Sequence, residues 1–193
     1  MKPGRDKAAL RTAVKERRNA LGWKQRTAGS ASICSRLQQY LVNQSSGASC
    51  LLTYRSTADE VDTSSIFADP PCRMFAPRTY DHGILDWLEV SSTTAWLPGA
   101  FGIMEPQQGQ LWSPEEGVST LICPMTGFDR QGNRLGMGKG CFDRWLGQYR
   151  PHLSHVIGLA FACQEVAEIP AEEHDIPLDI IVTENEIIVC PTS

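Results

Sequence analysis

The sequence predicts an α/β domain with a largely parallel sheet covered on both faces. Three observations carry this expectation. The chain has 193 residues, of which 41% are hydrophobic and 21% charged, enough to bury one core and typical of a globular protein. Several short runs are apolar throughout rather than alternating, as strands buried on both faces must be. Helix-like pieces fall between some of these runs, the pattern of strand–helix–strand units.

The elements follow in chain order. Leu10, Val14 and Leu21 share an apolar face, while Lys7, Arg11 and Lys15 recur every four residues as a basic stripe, so the spacing predicts an amphipathic helix closing near Asn19 and Gly22. Such a stripe serves either an anionic ligand or a solvated face. A second helix is expected after Ser30, whose hydroxyl can cap it, with Ile33, Leu37 and Leu41 at helical spacing before a turn at Ser45, Ser46 and Gly47. Buried strands are expected at 48–53, 73–76, 85–90, 120–123 and 156–161, and helices near 63–68 and 141–149. Two long connections, 79–84 and 91–118, stand out. The second holds Trp96, Pro98, Phe101, Ile103, Met104, Pro106 and Trp112, and so reads either as the lining of a ligand pocket or as a satellite core.

Charge is unevenly distributed. The chain carries 18 basic and 22 acidic side chains, a net charge of −4. Residues 2–26 hold nine of the basic groups and two of the acidic ones, a balance of +7, which leaves −11 for the rest. The acidic total argues against a dedicated nucleic-acid or membrane-surface binder, and the basic head lacks interleaved aromatics apart from Trp23. Seven cysteines without C-x-x-C spacing read as free thiols rather than a zinc site. With no secretory h-region and no apolar run of about 18 residues, they point to the cytoplasm.

The most informative stretch runs from an apolar strand through a loop with four glycines in the nine residues 132–140, and into a helix bearing Phe142, Trp145, Leu146 and Tyr149 on one side. Backbone N–H groups of such a loop and the following helix N-terminus can face an anion, and Arg134 and Lys139 add fixed positive charge. Asn133 and Gly140 break a Walker A pattern, and no register supplies G-x-G-x-x-G. A structural glycine-rich turn remains the other reading. Asp143, in the first turn of the helix, suits either Mg²⁺ bridging phosphate oxygens or the helix dipole.

The segment Gly132-Asn133-Arg134-Leu135-Gly136-Met137-Gly138-Lys139-Gly140-Cys141-Phe142-Asp143 resembles the signature loop of the 5-formyltetrahydrofolate cyclo-ligases, also called methenyltetrahydrofolate synthetases. The resemblance extends to Lys7-Ala8-Ala9-Leu10-Arg11, Ala58-Asp59-Glu60-Val61-Asp62-Thr63, Phe101-Gly102-Ile103-Met104-Glu105-Pro106, and the C-terminal stretch from Ile169-Pro170 through His174-Asp175-Ile176-Pro177-Leu178-Asp179 to Val182-Thr183-Glu184.

It implies a single doubly wound domain over residues 1–193, of the NagB/RpiA/CoA-transferase-like kind. The implied enzyme is an ATP- and Mg²⁺-dependent ligase converting 5-formyltetrahydrofolate to 5,10-methenyltetrahydrofolate through phosphorylation of the formyl oxygen, with release of ADP and phosphate. By position, Lys7 and Arg11 would hold ATP phosphates, and Arg134, Leu135, Gly136, Met137, Gly138, Lys139, Gly140, Cys141 and Phe142 would wrap the nucleotide. Arg134 and Lys139 would supply the catalytic charge, Asp143 and Asp175 would hold Mg²⁺, and Arg55, Glu60, Trp96 and Met104 would contact the folate. The expected protein is a monomer acting on a small molecule, without nucleic-acid or membrane partners. Cys141 and Phe142 stand where the family often carries Tyr, and Arg55 where a less charged residue is expected. These departures keep a second reading in view, a non-catalytic folate- or nucleotide-binding paralogue.

Overall fold

The computed structural model describes residues 6–43, 49–99 and 102–191. The expected turn at 45–47, the first residue of the strand expected at 48–53, and Phe101 lie outside them. Helix α1 (Lys7–Asn19) is opened by Asp6, whose carboxylate accepts from the Ala8 N–H at 3.0 Å, and is closed by Arg17 and Arg18, cations at the end where orphan carbonyls favour them. Helix α2 (Trp23–Asn43) starts at Trp23 rather than after Ser30. Ser30 is not a cap: it is buried within the helix, and its hydroxyl accepts from the Asp62 N–H at 3.0 Å. Gly29 sits mid-helix because a Cβ there would lie 3.1 Å from the Phe161 ring, so glycine marks a close approach and not a break.

The remaining elements are β1 (Cys50–Leu52), α3 (Ser64–Ala68), β2 (Arg73–Thr79), β3 (Leu85–Val90), β4 (Trp96–Pro98), β5 (Met104–Pro106), β6 (Ser119–Pro124), β7 (Gly127–Phe128), β8 (Arg134–Leu135), α4 (Cys141–Tyr149), β9 (Leu153–Leu159), β10 (Ile180–Val182) and β11 (Ile187–Val189). Seven of the strands form one sheet in the order β11-β10-β9-β6-β1-β2-β3. Its interior neighbours are parallel, and only the edge strands β3 and β11 run antiparallel.

Alternation along each strand divides the core in two. Cys50, Leu52, Phe75, Leu121, Cys123 and Ile181 face α4, where Trp145 and Leu146 meet Trp87 and Trp112. Leu51, Met74, Ile122, Ile180 and Val182 face the other way, onto Ile33, Leu37 and Leu41 of α2 and Ile66 of α3. Helices therefore cover both faces, and β1 and β10 are apolar and buried at every position because neither of their sides meets water.

The connection 91–118 divides between the core and the cleft, and its buried part joins the main core rather than a satellite one. Trp112 is buried in the core, its indole N–H donating to Ser119 Oγ at 3.0 Å and its ring 5.3 Å from that of Trp145. The hairpin of β4 and β5, which the sequence did not announce, carries Met104 and Glu105 to the cleft described below. Strand β9 begins at Leu153, three residues before the expected start, and β10 and β11 add a C-terminal hairpin.

Candidate functional site

Chain order and sheet order part company at β1, which lies between β2 on one side and β6 on the other. A parallel sheet opens a crevice at the carboxyl ends of its strands where the winding reverses. The structure has its cleft there. Tyr54 and Arg55 follow β1, Pro77 and Thr79 lie toward the end of β2, and Pro124 ends β6 with Met125 and Thr126 just beyond; all of them line it. The loop after β8 supplies Gly136, Met137, Lys139 and Gly140, and α4 supplies Cys141, Phe142 and Asp143. Ile103, Met104 and Glu105 come from the hairpin, and Arg18 and Glu60 complete the wall.

A buried carboxylate sets the approach to the glycine loop. Asp129 accepts from the N–H groups of Gln131 at 3.0 Å and Asn133 at 3.1 Å, from Asn133 Nδ2, and from the Ile169 N–H at 2.8 Å, so it pins the turn between β7 and β8. Gly132 within that turn has φ +89°, and a Cβ would lie 2.5 Å from the Leu178 carbonyl oxygen, so only glycine fits. Gly140, at φ +65°, leads into α4 without a side-chain cap. The amide groups of the first α4 turn are therefore left without a side-chain acceptor, as an anion site requires.

Of the basic stripe on α1, Arg11 reaches this loop and Lys7 reaches the segment around Asp175. Arg11 Nε donates to the Gly136 carbonyl at 2.8 Å. Lys7 Nζ lies 2.8 Å from Glu172 and 2.7 Å from Asp175. Burial disfavours the charge on Lys7, but its two carboxylate partners outweigh that and hold its pKa above the usual value. Burial likewise works against the Asp175 carboxylate, while the Lys7 bond, the Glu172 N–H and the Lys7 charge keep its pKa below the ordinary range. Arg134 is almost fully buried and paired with Asp143, and it also donates to the Ile176 carbonyl.

Among the sequence-predicted residues, Arg55, Glu60, Met104, Arg134, Gly136, Met137, Lys139, Gly140, Cys141, Phe142 and Asp143 share this cleft. The Leu135 side chain is wholly buried in the core, so only its backbone can face a ligand. Gly138 has φ +90°, and a Cβ there would lie 3.8 Å from the Arg11 guanidinium carbon. Trp96 backs Arg55, whose guanidinium lies 4.6 Å from the ring centroid. Lys7 and Asp175 pair with each other, and Asp143 pairs with Arg134. Among the described residues, Glu172, His174 and Asp175 form a group whose ligand atoms lie within 4.8 Å of one another.

Sequence reasoning missed Arg18, Tyr54, Glu105 and Asp129. Glu105 is a buried carboxylate on the cleft wall, accepting from the Thr79 N–H at 3.2 Å. Burial, with Glu60 nearby, holds the Tyr54 phenol well above its usual pKa. The Cys123 thiol is pushed up to about 12 by burial, which keeps it protonated.

Fold and site together define a doubly wound α/β protein with a cleft at its switch point, one end basic and glycine-rich. Comparison with known proteins narrows this. The model of the 5-formyltetrahydrofolate cyclo-ligase family matches residues 3–184. The 5-formyltetrahydrofolate cyclo-ligase of Mus musculus is 31% identical over 196 residues, covering 93% of this chain and 94% of that one. That of Haemophilus influenzae is 43% identical over 84 residues, a local match spanning 42% of this chain and 45% of the relative. Among solved structures, the 5,10-methenyltetrahydrofolate synthetase of Aquifex aeolicus superposes with a TM-score of 0.81 at 28% identity, covering 97% of this chain and 94% of that one. The chain belongs to the 5-formyltetrahydrofolate cyclo-ligase family, and is by that membership a ligase of folate metabolism.

Proposed function

We propose that the protein cyclises 5-formyltetrahydrofolate to 5,10-methenyltetrahydrofolate at the expense of ATP, via phosphorylation of the formyl oxygen, with ADP and phosphate released. One observation supports this above the others: a single cleft has the uncapped glycine loop with Arg134 and Lys139 in its wall, and an apolar stretch with Glu60, Ile103 and Met104 in the same wall. A nucleotide phosphate chain and a flat heterocycle need these two kinds of surface in contact. Phosphoryl transfer asks the protein for alignment and for positive charge where the transition state is negative, and it requires no protein nucleophile.

In this reading Lys7, Arg11, Lys139 and the amide groups of 136–142 bind and orient the phosphates, and Arg134 and Lys139 stabilise the charge that develops. Arg55, Glu60, Met104 and, behind Arg55, Trp96 hold the folate. The residues also fit Mg²⁺, a hard cation taking one or two carboxylates: Asp143 and Asp175 are both partly exposed, and Asp175 lies beside Glu172 and His174. When bound, Mg²⁺ offsets charge on phosphate oxygens. No described helix is long and apolar enough to cross a membrane. We assign the protein to the cytoplasm as a monomer.

Purified protein mixed with Mg-ATP and 5-formyltetrahydrofolate is expected to form the methenyl chromophore with one ADP per product, and not to do so without ATP. Folded protein that yields neither would refute the reading.

A further inference from the structure

Two buried polar atoms on the cleft wall, Arg18 Nε and the Tyr54 hydroxyl, have no hydrogen-bond partner among the described residues. The Arg18 side chain is 4% exposed and its Nε makes no hydrogen bond. Its guanidinium lies 3.6 Å from the carboxylate of Asp59, which is 63% exposed and also lies 3.9 Å from Arg26. The Tyr54 hydroxyl is buried and makes no hydrogen bond. Both side chains line the cleft together with Glu60, whose Oε2 is engaged by the Thr57 N–H at 2.8 Å and by the Thr57 hydroxyl. A buried guanidinium so thinly compensated, and a phenol with nothing to bond, are both costly unless a ligand completes them. The nucleotide reading uses α1 through Lys7 and Arg11 and the loop 134–142, and it leaves both groups idle.

We propose that Arg18 and Tyr54 form a polar subsite that takes the hydrogen-bonding edge of the folate heterocycle, the guanidinium donating to a ring oxygen while Glu60 accepts a ring or amino N–H. This rests on the folate reading above. Two features favour the ring over the charged glutamate tail. The cleft wall here sets donors beside an acceptor, Arg18 and Tyr54 with the Glu60 carboxylate, which suits a neutral edge carrying both donors and acceptors. The Arg18 and Tyr54 side chains are also themselves almost wholly buried, whereas a flexible tail keeps its carboxylates solvated. A site built to hydrogen-bond a ring edge strongly rejects analogues that lack the matching group, so the two residues determine specificity.

The test is a binding titration, without turnover, of the full chain and of Arg18→Met and Tyr54→Phe, using 5-formyltetrahydrofolate and, separately, a non-hydrolysable ATP analogue. Folate Kd is expected to rise about 10- to 100-fold in Arg18→Met and about 5-fold in Tyr54→Phe, as hydrogen bonds to a charged and a neutral donor imply. Nucleotide Kd should stay within about twofold, and Tm of Arg18→Met should hold or rise because an ill-compensated buried charge has gone. A formylated tetrahydropteroate lacking the glutamate should show the same loss. If Arg18→Met does not fold, Arg18→Lys, which keeps the charge and loses the planar fork, replaces it under the same affinity criteria, with no expectation on Tm. Wild-type folate affinity in both variants, equal weakening of nucleotide and folate, or a loss confined to the ligand with the tail would each overturn the subsite. An unsubstituted chain that binds nucleotide but no folate overturns the functional reading as well.

Discussion

Lys7 Nζ lies 2.7 Å from Asp175 Oδ2, so the start of the first helix is fastened to a loop 168 positions further along the chain. Glu172 Oε2 shares the same ammonium at 2.8 Å. The pair brings a cation and a carboxylate, both assigned to nucleotide handling, into one contact.

Its pH dependence follows from the two shifts. The Asp175 pKa is depressed, so its contribution is present above the unfolded value near 3.8 and is lost as pH falls through the lower folded value. The Lys7 pKa is raised, so its contribution is present below about 10.5 and is lost as pH rises through the higher folded value. Urea unfolding of the protein and of Lys7→Met should therefore differ by a constant amount, about 1 kcal/mol for a partly exposed pair, across the neutral range. The difference should shrink below pH 4 and above pH 10.5.

Lys139→Ala is expected to lower kcat by about 10²- to 10³-fold, as loss of one transition-state donor does. Tm should change little, because the loop is at the surface of the cleft. Steady-state kinetics beside a thermal melt checks both parts.

Arg134→Ala should behave differently. Its guanidinium is buried and holds Asp143 and the Ile176 carbonyl, so removal strands two acceptors and costs about 1–3 kcal/mol in addition to turnover. A drop in both the urea midpoint and the rate is the expected pair of results, and unchanged stability would contradict the role given to this contact.

Gly132→Ala tests the turn that launches the loop. With φ +89° and a backbone oxygen 2.5 Å from the new Cβ, the substitution should destabilise by more than about 1 kcal/mol. Circular dichroism melts against Gly147→Ala, where nothing lies within 4 Å of the added Cβ, provide the contrast.

Leu146→Ala removes a fully buried side chain from the α4 face of the core and should cost about 2–5 kcal/mol. Because α4 carries Cys141, Phe142 and Asp143, nucleotide affinity should fall with it, which titration of the folded variant can show.

What could be read from the sequence follows from where each signal resides. Strands buried on both faces are written as unbroken apolar runs, so β1, β2, β6 and β9 were visible, as was α4 with its clustered aromatics. The start of α2 was misplaced because Gly22 and Gly29 look alike on paper, although one precedes the helix and the other makes room for Phe161. The glycine loop was legible because positive φ demands glycine. Arg18 was not: in sequence it is one more arginine in a basic run, and its burial depends on how α1 meets the chain around Asp59. Glu105 and Asp129 escaped for the same reason, since a carboxylate is read as exposed until its donors are seen.

The cleft lies where β1 and β6 adjoin, and these strands are far apart in the chain: Cys50 pairs with Ser119, 69 positions later. Its floor after β1 is made early in synthesis, its wall after β6 much later, and the loop that closes it later still. Loop-closure entropy makes such distant parallel pairing slow. A nascent chain through β3 therefore already presents one apolar margin of β1 with no strand beside it. That margin is the segment a folding cell has to shield until the second half arrives.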